Sequence, residues 1–390
     1  MALSSRRISL LLTAVPLLSL AALTGCAGFF VYPGTSTSTT SSTGDYAYVS
    51  NSASGSNYIN GYSLSGGSLV ATTGSPYSLG FVPSAMVVSE ANTFLYVASS
   101  ATLSGTGVIY GYSIGAGGAL TILNNGVGLE AENTSALDVS SDGQWLFSLN
   151  SDGLTLEEYG INTTTGLLTA EGNYPITATA GGVVTPNALK IAPSGAYIAC
   201  ALGTAGVDVF AFNTSTGVAS SSAGVLPPAN TASGFYSLAI DSGNDLFLGG
   251  TNGLVVYTVV ANSSGSVTST LASSSSGYTL GTGNQSVAVS KASGYVFAGS
   301  QNGGSGSTVY GYAIGTGGAL TAVSGSPFNG PTDVAALARD STGNYLLALG
   351  YSATSGTQLF TIGSAGALTS TSTAADGATL TIPSVLALTH

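Results

Sequence analysis

The hexapeptide FLYVAS, residues 94–99, is one of seven copies of a short string that decide the fold of this chain. The other copies are YAYVSN at 46–51, WLFSLN at 145–150, AYIACA at 196–201, DLFLGG at 245–250, YVFAGS at 295–300 and YLLALG at 345–350. Successive copies begin 48, 51, 51, 49, 50 and 50 residues apart. A fixed period of this length is typical of stacked repeats.

Each repeat contains four segments with the composition of β-strands. Around FLYVAS they are PSAMVVS at 83–89, the string itself, VIYGYSI at 108–114 and a segment that opens with GGALTI at 117–122. All are rich in Val, Ile, Leu, Tyr and Thr and are bounded by turn residues, and no convincing helical period occurs. Four strands in about 50 residues predict a propeller blade. The sequence therefore predicts an all-β, seven-bladed β-propeller with four-stranded antiparallel blades.

The two ends of the repeat array are offset by one strand. The first copy, at 46–51, is a second strand, whereas the last segment, SVLALT at 384–389, has the pattern of a first strand. We therefore expect the C-terminal strand to pair with the strand near Tyr46 and close the ring, which removes an exposed sheet edge. The alternative is an open solenoid, which needs atypical polar caps that neither end resembles.

Several strings also resemble a known family. AYVSN, LYVAS, the stretch GYSIGAGGAL at 111–120 and the GSP at 74–76 and 325–327 resemble the YVTN-type, lactonase-like propellers of the 6-phosphogluconolactonase family. The resemblance covers roughly residues 44–390. It implies a seven-bladed fold, lactonase activity and a site built from His, Arg and acidic side chains around the channel. Its motifs are strand and turn residues, so they specify the fold rather than the function.

The N-terminus has the pattern of an export signal. Arg6 and Arg7 precede an apolar run that ends in LTGC at 23–26, which predicts a signal peptide over residues 1–25. LTGC resembles a bacterial lipobox, which implies acylation of Cys26. An uncleaved membrane anchor is the alternative, but the apolar run is short for a span and contains Pro16.

This pattern sets the expected domains and location. Residues 26–44 are expected to form a Ser/Thr/Gly-rich tether, and residues 45–390 the propeller. We expect an exported, lipid-anchored protein on the periplasmic or cell-surface side. Ala27 after the cysteine resembles the sorting pattern of outer-membrane lipoproteins.

The composition limits the possible ligands. Without the signal, the chain keeps only Lys190, Lys291 and Arg339 as basic residues, against 16 acidic ones. So few cations exclude nucleic acid as a partner and make phosphorylated metabolites poor ligands. Cys200 is expected to be a buried hydrophobe, and the sole histidine, His390, is the last residue. We expect a monomer with no cofactor.

No metal site is predicted either. The sequence contains no CxxC, HExxH, phosphate loop or EF-hand spacing. The turn DSGND at 241–245 offers oxygen ligands for Ca²⁺, but a turn closed by side-chain hydrogen bonds is the interpretation that we favour.

Aligned in register, the seven first strands isolate three charged positions. The fourth residues of the strands are Val87, Asp138, Lys190, Ala239, Ala288, Ala338 and Ala387. First strands line the axial channel, so Asp138 and Lys190 are expected to meet there. They form either a structural ion pair between two blades or a ligand site. Arg339 replaces an apolar residue in the next column, and we expect it to pair with Asp340 or another channel acid.

The loops that lead into the first strands should surround one mouth of the channel. They contain Tyr77, Phe81, Glu130, Glu132, Tyr174, Phe235, Tyr236, Tyr278 and Phe328. Aromatic and acidic side chains around a concave mouth suit a binding surface. The alternative is that these side chains pack between the blades.

Three functions fit these observations. The first is a non-catalytic binding or scaffold module of the cell envelope, whose partner is an envelope protein, a polysaccharide or a small molecule. The second, implied by the resemblance, is a lactone hydrolase, for which Asp138 would be the base and Lys190 or Arg339 the positive group. The third is a protein that binds carbohydrate or an envelope polymer through the aromatic mouth.

Overall fold

The computed structural model describes most of the chain from residue 45 onward. The described residues are 45–53, 56–99, 106–151, 155–220, 224–226, 234–251, 253–261, 267–272, 278, 285–289, 294–300, 308–350, 356–375 and 385–389. They fall within one compact unit, Thr39–His390. The predicted signal peptide and tether, with Cys26, lie outside the described residues, as do Lys291 and His390.

The strands fall into seven groups and a final strand, numbered here in chain order. The first three groups are β1 (Tyr46–Ala53), β2 (Ser56–Ser63), β3 (Val70–Ala71) and β4 (Tyr77–Leu79); β5 (Pro83–Val88), β6 (Phe94–Ser99), β7 (Gly107–Ile114), β8 (Leu120–Ile122) and β9 (Leu129–Ala131); and β10 (Thr134–Val139), β11 (Trp145–Asn150), β12 (Thr155–Ile161) and β13 (Leu168–Pro175). The next two are β14 (Val184–Ile191), β15 (Tyr197–Gly203), β16 (Val207–Ala211) and β17 (Gly224–Leu226); and β18 (Phe235–Ile240), β19 (Asp245–Gly250), β20 (Gly253–Ala261) and β21 (Val267–Leu271). The last two are β22 (Gln285–Val289), β23 (Tyr295–Ser300), β24 (Thr308–Ile314), β25 (Leu320–Ala322) and β26 (Phe328–Asn329); and β27 (Val334–Arg339), β28 (Tyr345–Gly350), β29 (Thr357–Ile362) and β30 (Leu368–Ala374), followed by the final strand β31 (Leu386–Leu388).

Each group forms one antiparallel blade, as the repeats predict. The third blade has the simple order β10-β11-β12-β13, and in three other blades a short extra strand also pairs with the third strand. Blades 4 and 5 join into one eight-stranded sheet through the single pairing of Gly203 with Phe235. The helical segments among the described residues are 3-10 turns, Ser65–Gly67, Ala116–Gly118, Asn124–Gly126 and Thr316–Gly318. None of the described helices has the length and apolar character of a membrane span.

The C-terminal strand closes the ring, which confirms the prediction from the offset ends. Strand β31 pairs antiparallel with β1, with Leu388 opposite Ala47 and Leu386 opposite Val49. The backbone N–H of Tyr46 donates to Oγ1 of Thr389 at 2.8 Å, and the backbone N–H of Thr389 donates to the Tyr46 carbonyl at 2.9 Å. The inner strands β5, β10, β14, β18, β22, β27 and β31 contact one another in an unbroken circle.

The second strand of each blade forms the buried core between neighbouring blades. Every residue of β6 and β15 is buried, as are all but the first residue of β11, β23 and β28. Both faces of these strands are covered by other blades, so their sequences are continuous apolar runs rather than alternating ones. This burial explains why the second strand is the most recognisable part of the repeat.

Contacts between blades explain the aromatic residue and the glycine turn that recur in the repeats. Gly166, in the turn between β12 and β13, lies against the ring of Phe94 on the preceding blade, where a Cβ would be 2.5 Å from Cδ1 of that ring. Its φ of +72° also favours glycine. The hydroxyl of Tyr96 donates to the Gly166 carbonyl at 3.1 Å, and the hydroxyl of Tyr48 donates to Gly118 in the same way at 2.9 Å. The repeated residues therefore fix each blade to the next.

Candidate functional site

A cavity of about 520 Å³ occupies the axis of the propeller, and residues from all seven inner strands line it. Its wall also includes residues just beyond the ends of these strands, such as Glu90, Ser141, Pro193 and Ser341. The cavity therefore lies at the end of the channel where the inner strands finish. Most of its lining is aliphatic, for example Met86, Leu238, Val287 and Leu386. A volume of this size suits a small organic ligand.

Asp138 and Lys190 form an ion pair with each other on the side of the cavity that blades 3 and 4 line. Asp138 on β10 and Lys190 on β14 hold equivalent positions in neighbouring blades, and they meet as the alignment predicts, with Nζ 2.7 Å from Oδ1. The second carboxylate oxygen, Oδ2, accepts the backbone N–H of Ile191 at 2.7 Å. Both oxygens of Asp138 are thus engaged by blade 4. It is the only ion pair within 4.0 Å among the residues that the structure describes.

The two partners differ in their exposure to water. The side chain of Asp138 is 10% exposed and that of Lys190 is 46% exposed. The carboxylate is therefore held inside the wall, whereas the ammonium group remains partly solvated at the cavity surface. A pair of this kind links two blades at a moderate desolvation cost. Its role as a structural link, rather than as a ligand site, stays a prediction.

Arg339 on β27 does not form the ion pair that the sequence led us to expect. Its Nε and Nη2 groups are buried and have no hydrogen-bond partner in the described part of the chain. The expected partner, Asp340, is used by its own turn, because Oδ1 accepts the Tyr345 N–H at 2.7 Å and Oδ2 accepts the hydroxyl of Thr342. Burial lowers the pKa of Arg339 below its usual value, and the negative charge of Asp340 partly opposes this shift.

Of two further acidic residues in the cavity wall, Glu90 was not singled out from the sequence, and Asp340 was named only as a partner for Arg339. Glu90 and Asp340 both line the cavity, and each lies just beyond the end of an inner strand. The first-strand alignment could have found Glu90 if it had been extended two residues past the end of β5. With Asp138, these two residues make three acidic groups among the described residues of the wall, against the two cations Lys190 and Arg339.

The predicted aromatic mouth lies away from this cavity, since none of its nine residues is part of the wall. Phe81 stacks on Tyr110 with ring centroids 4.4 Å apart, and Phe235 is buried in the core. The Tyr174 hydroxyl donates to Glu158 at 2.6 Å, and the Tyr278 hydroxyl accepts the N–H of Leu320 at 2.9 Å.

The other members of this set are distributed in the same manner. The Tyr77 hydroxyl donates to the Thr73 carbonyl at 2.6 Å, and Glu132 accepts the Asn150 amide at 2.7 Å. Phe328 packs against the buried core, Glu130 is exposed on β9, and Tyr236 is partly buried on β18. Many of these side chains therefore make contacts within the propeller wall, and a binding role for them stays a prediction.

Two further sequence interpretations concern Cys200 and the DSGND turn. Cys200 is a free, buried thiol whose pKa is raised well above its usual value, first by burial and then by the charge of Asp208. In the turn, Oδ1 of Asp241 accepts the N–H groups of Gly243 and Asp245, each at 2.9 Å. Among the described residues, no three His, Cys, Asp or Glu side chains are grouped as a metal site requires.

The two cations in the described part of the wall differ in how their donors are used. Each carboxylate oxygen of Asp138 accepts one hydrogen bond, from Lys190 Nζ or from the Ile191 N–H, which restricts its approach to a reacting atom as a general base. Lys190 is the partner of that carboxylate. The remaining cation, Arg339, has unused donors, and aliphatic side chains dominate the rest of the wall.

Comparison with known proteins agrees with the fold. Residues 43–230 match the family model described as lactonase, 7-bladed beta-propeller. The periplasmic gluconolactonase of Pseudomonas aeruginosa superposes with a TM-score of 0.68 at 15% identity, covering 89% of this chain and 99% of that one. A candidate 6-phosphogluconolactonase of Bacteroides fragilis gives 0.66 at 16% identity, covering 90% and 99%. A search of curated proteins found no match to the sequence. Residues 43–230 thus match the lactonase family in sequence, and the described chain as a whole has that family's seven-bladed propeller fold.

Proposed function

We propose that this chain is an exported, lipid-anchored binding module that holds a small organic ligand in its axial cavity without converting it. The observation that supports this proposal most is that Asp138 and Lys190 are already bound to each other. The pair provides the clearest acid and base of the cavity, and it is used to join two blades. What remains is a partly open space of about 520 Å³ at the end of the channel, lined by aliphatic side chains and several polar groups, which suits a small-molecule site.

A binding measurement tests this proposal. Ala239 lies in the cavity wall, so Ala239→Leu should fill part of the space that a ligand needs. We expect calorimetric titration with benzoate, benzamide, D-gluconate and D-gluconamide to show binding of at least one probe to the wild type. The Ala239→Leu variant should bind that probe at least tenfold more weakly.

The matched control is Ala322→Leu, because Ala322 is exposed on β25, outside the cavity wall. It should bind the probe as the wild type does. Equal affinity in all three proteins would place the ligand elsewhere, and no binding of any probe would contradict the proposal.

The export and anchoring part of the proposal rests on the leader and on LTGC at 23–26. Cys26→Ser should abolish metabolic labelling with palmitate and release the protein from the membrane fraction or block its processing. Unchanged membrane association together with an unchanged mass in this variant would contradict lipid anchoring. The control is Cys200→Ser, since Cys200 is buried within blade 4 and should leave labelling intact.

Lactone hydrolysis is the second candidate, and the family match over residues 43–230 favours it. The solved relatives are too distant to transfer an activity, because they share about 15% identity with this chain. In this cavity a hydrolase would need Asp138 released from Lys190 to act as base. The Asp138→Asn variant therefore separates the two functions.

A further inference from the structure

We propose that the ligand of the axial cavity is a small monocarboxylate and that Arg339 binds its carboxylate group. This inference rests on the proposed binding function and adds the chemical class of the ligand.

Arg339 departs from the rest of its column in the inner strands. The other six residues at this position are Val88, Val139, Ile191, Ile240, Val289 and Leu388, all aliphatic. Arg339 puts a guanidinium group in the wall of the cavity, with two buried N–H-bearing nitrogens that have no partner. Buried polar groups without a partner are rare in folded proteins, and they require a reason beyond packing.

The described part of the chain offers no free anion for this group. Asp340 is occupied by Thr342 and Tyr345, and Asp138 is occupied by Lys190 and Ile191. No carboxylate of the described residues lies within ion-pair distance of Arg339. A ligand carboxylate matches the planar fork of a guanidinium through two parallel hydrogen bonds.

The charge of the cavity favours a monoanion over a phosphate dianion. Among the described residues of the wall, only one cation lacks an anionic partner, and Asp340 adds negative charge beside it. A dianion would therefore meet more repulsion than a single guanidinium offsets. The aliphatic residues around it, such as Met86, Leu238 and Leu386, suit an apolar body attached to the carboxylate.

The present position of the guanidinium shows where it must move on binding. Nη2 occupies the space that a side chain on Gly343 would fill, in the turn after β27. Binding therefore turns the fork away from Gly343 and into the cavity. This exchanges two unpaired buried donors for hydrogen bonds to the ligand.

Paired acids and amides test the inference, because each pair differs only in charge. We expect wild-type protein to bind benzoate at least tenfold more tightly than benzamide, with the same order for D-gluconate and D-gluconamide. Phenyl phosphate should bind more weakly than benzoate. Arg339→Met should remove the preference for the acid by weakening benzoate binding at least tenfold, and Arg339→Lys should retain part of that preference.

The outcomes separate the two proposals. Equal binding of acid and amide by the wild type, or a preference that persists in Arg339→Met, would overturn the role of Arg339 but keep the cavity as a binding site. Tighter binding of phenyl phosphate would overturn the choice of a monocarboxylate. If none of the probes binds, the proposed function fails, and this inference fails with it.

A second pair of variants tests the movement of the guanidinium. Gly343→Ala should displace Nη2 towards the cavity and raise benzoate affinity several-fold. The control is Gly143→Ala in the equivalent turn of blade 3, since the φ values are +78° and +71° and no Arg lies over Gly143. If Gly343→Ala binds benzoate no more tightly than the control, the inference that Arg339 moves from Gly343 into the cavity would be wrong.

Discussion

Two sides of the axial channel place a positive charge in the same cavity but compensate it differently. On the side of blades 3 and 4, Lys190 meets Asp138 at 2.7 Å, and the carboxylate also accepts a backbone N–H. On the side of blade 7, Arg339 has two buried nitrogens with no hydrogen-bond partner among the residues that the structure describes. Charge in a channel is therefore not by itself a sign of function. We interpret the satisfied pair as a link within the wall and the unsatisfied donors as the groups that a ligand would meet.

The closed ring holds these two sides of the channel around one cavity, so ring closure should have the largest effect on stability. Deleting residues 385–390 removes β31 and its hydrogen bonds to Tyr46 and Ser50, and it exposes an edge of β1. We expect this truncation to abolish cooperative unfolding or to aggregate, as measured by thermal melting and size-exclusion chromatography. Removing His390 alone is the control. A truncated protein that melts like the full-length chain would show that β31 does not close the ring.

Breaking the Asp138–Lys190 pair should have the next largest effect. Asp138→Ala should lower the free energy of unfolding by about 2–3 kcal/mol, because it leaves both Lys190 and the Ile191 N–H without their partner. Lys190→Met should cost less, about 1 kcal/mol, since the ammonium group is already partly solvated. Urea unfolding measures both, with Glu130→Ala on exposed β9 as the control. Variants within about 0.3 kcal/mol of the wild type would remove the pair's structural role.

Replacing Arg339, which has no anionic partner in the described chain, should raise the free energy of unfolding rather than lower it. Arg339→Met removes two unsatisfied buried donors and restores the aliphatic character of its column, so it should stabilise the protein by about 1–2 kcal/mol. Arg339→Lys, which keeps the charge, should give a smaller change. The same urea experiment checks both variants. Destabilisation by Arg339→Met would mean that the guanidinium has a compensating contact, and the contrast between the two sides would disappear.

The smallest effect is expected at Asp45, beside blade 7. Burial raises the pKa of Asp45, and the charge of Asp340 adds to this shift, although a hydrogen bond from Ser341 opposes it. A raised pKa means that the folded state binds protons more readily, so the carboxylate lowers stability once the pH exceeds this pKa. Asp45→Asn should thus add a few tenths of a kcal/mol at pH 7, because solvent screens the partly exposed group.

The gain in the Asp45→Asn variant should vanish below the usual pKa of 3.8, where Asp45 is protonated in both the folded and the unfolded state. Urea unfolding at pH 7 and at pH 3 checks this, with Glu130→Gln as a charge-matched control. A gain that is the same at both pH values would exclude the titration of Asp45 as its cause.

The sequence predicted the repeated parts of the molecule better than the singular ones. The copies beginning at Phe94, Trp145 and Tyr295 mark the starts of β6, β11 and β23, because the same burial recurs in every blade. The meeting of Asp138 and Lys190 followed from equivalent positions in adjacent blades. These inferences needed only the strand register and the order of the blades, and the repeat period provides both.

The expected partner of Arg339 was wrong for a local reason. Thr342 and Tyr345 bind Asp340 within its own turn, and an alignment of strand columns does not contain that hydrogen bonding. The strand pattern also could not predict at which end of the channel the cavity lies. Nothing in the period distinguishes the two ends of the channel, and side-chain packing places the cavity near Glu90 and Ser341 rather than near the aromatic loops.

If the cavity binds a ligand without converting it, purified protein should not hydrolyse lactones. An assay of lactone hydrolysis is therefore the decisive measurement. Wild-type protein and Asp138→Asn would be assayed on δ-gluconolactone and on 6-phosphogluconolactone, with circular dichroism to verify folding. We expect both proteins to leave the rate of lactone opening at its uncatalysed value, since Asp138 is held by Lys190 and Ile191. Hydrolysis above background by the wild type, lost in a folded Asp138→Asn variant, would contradict it.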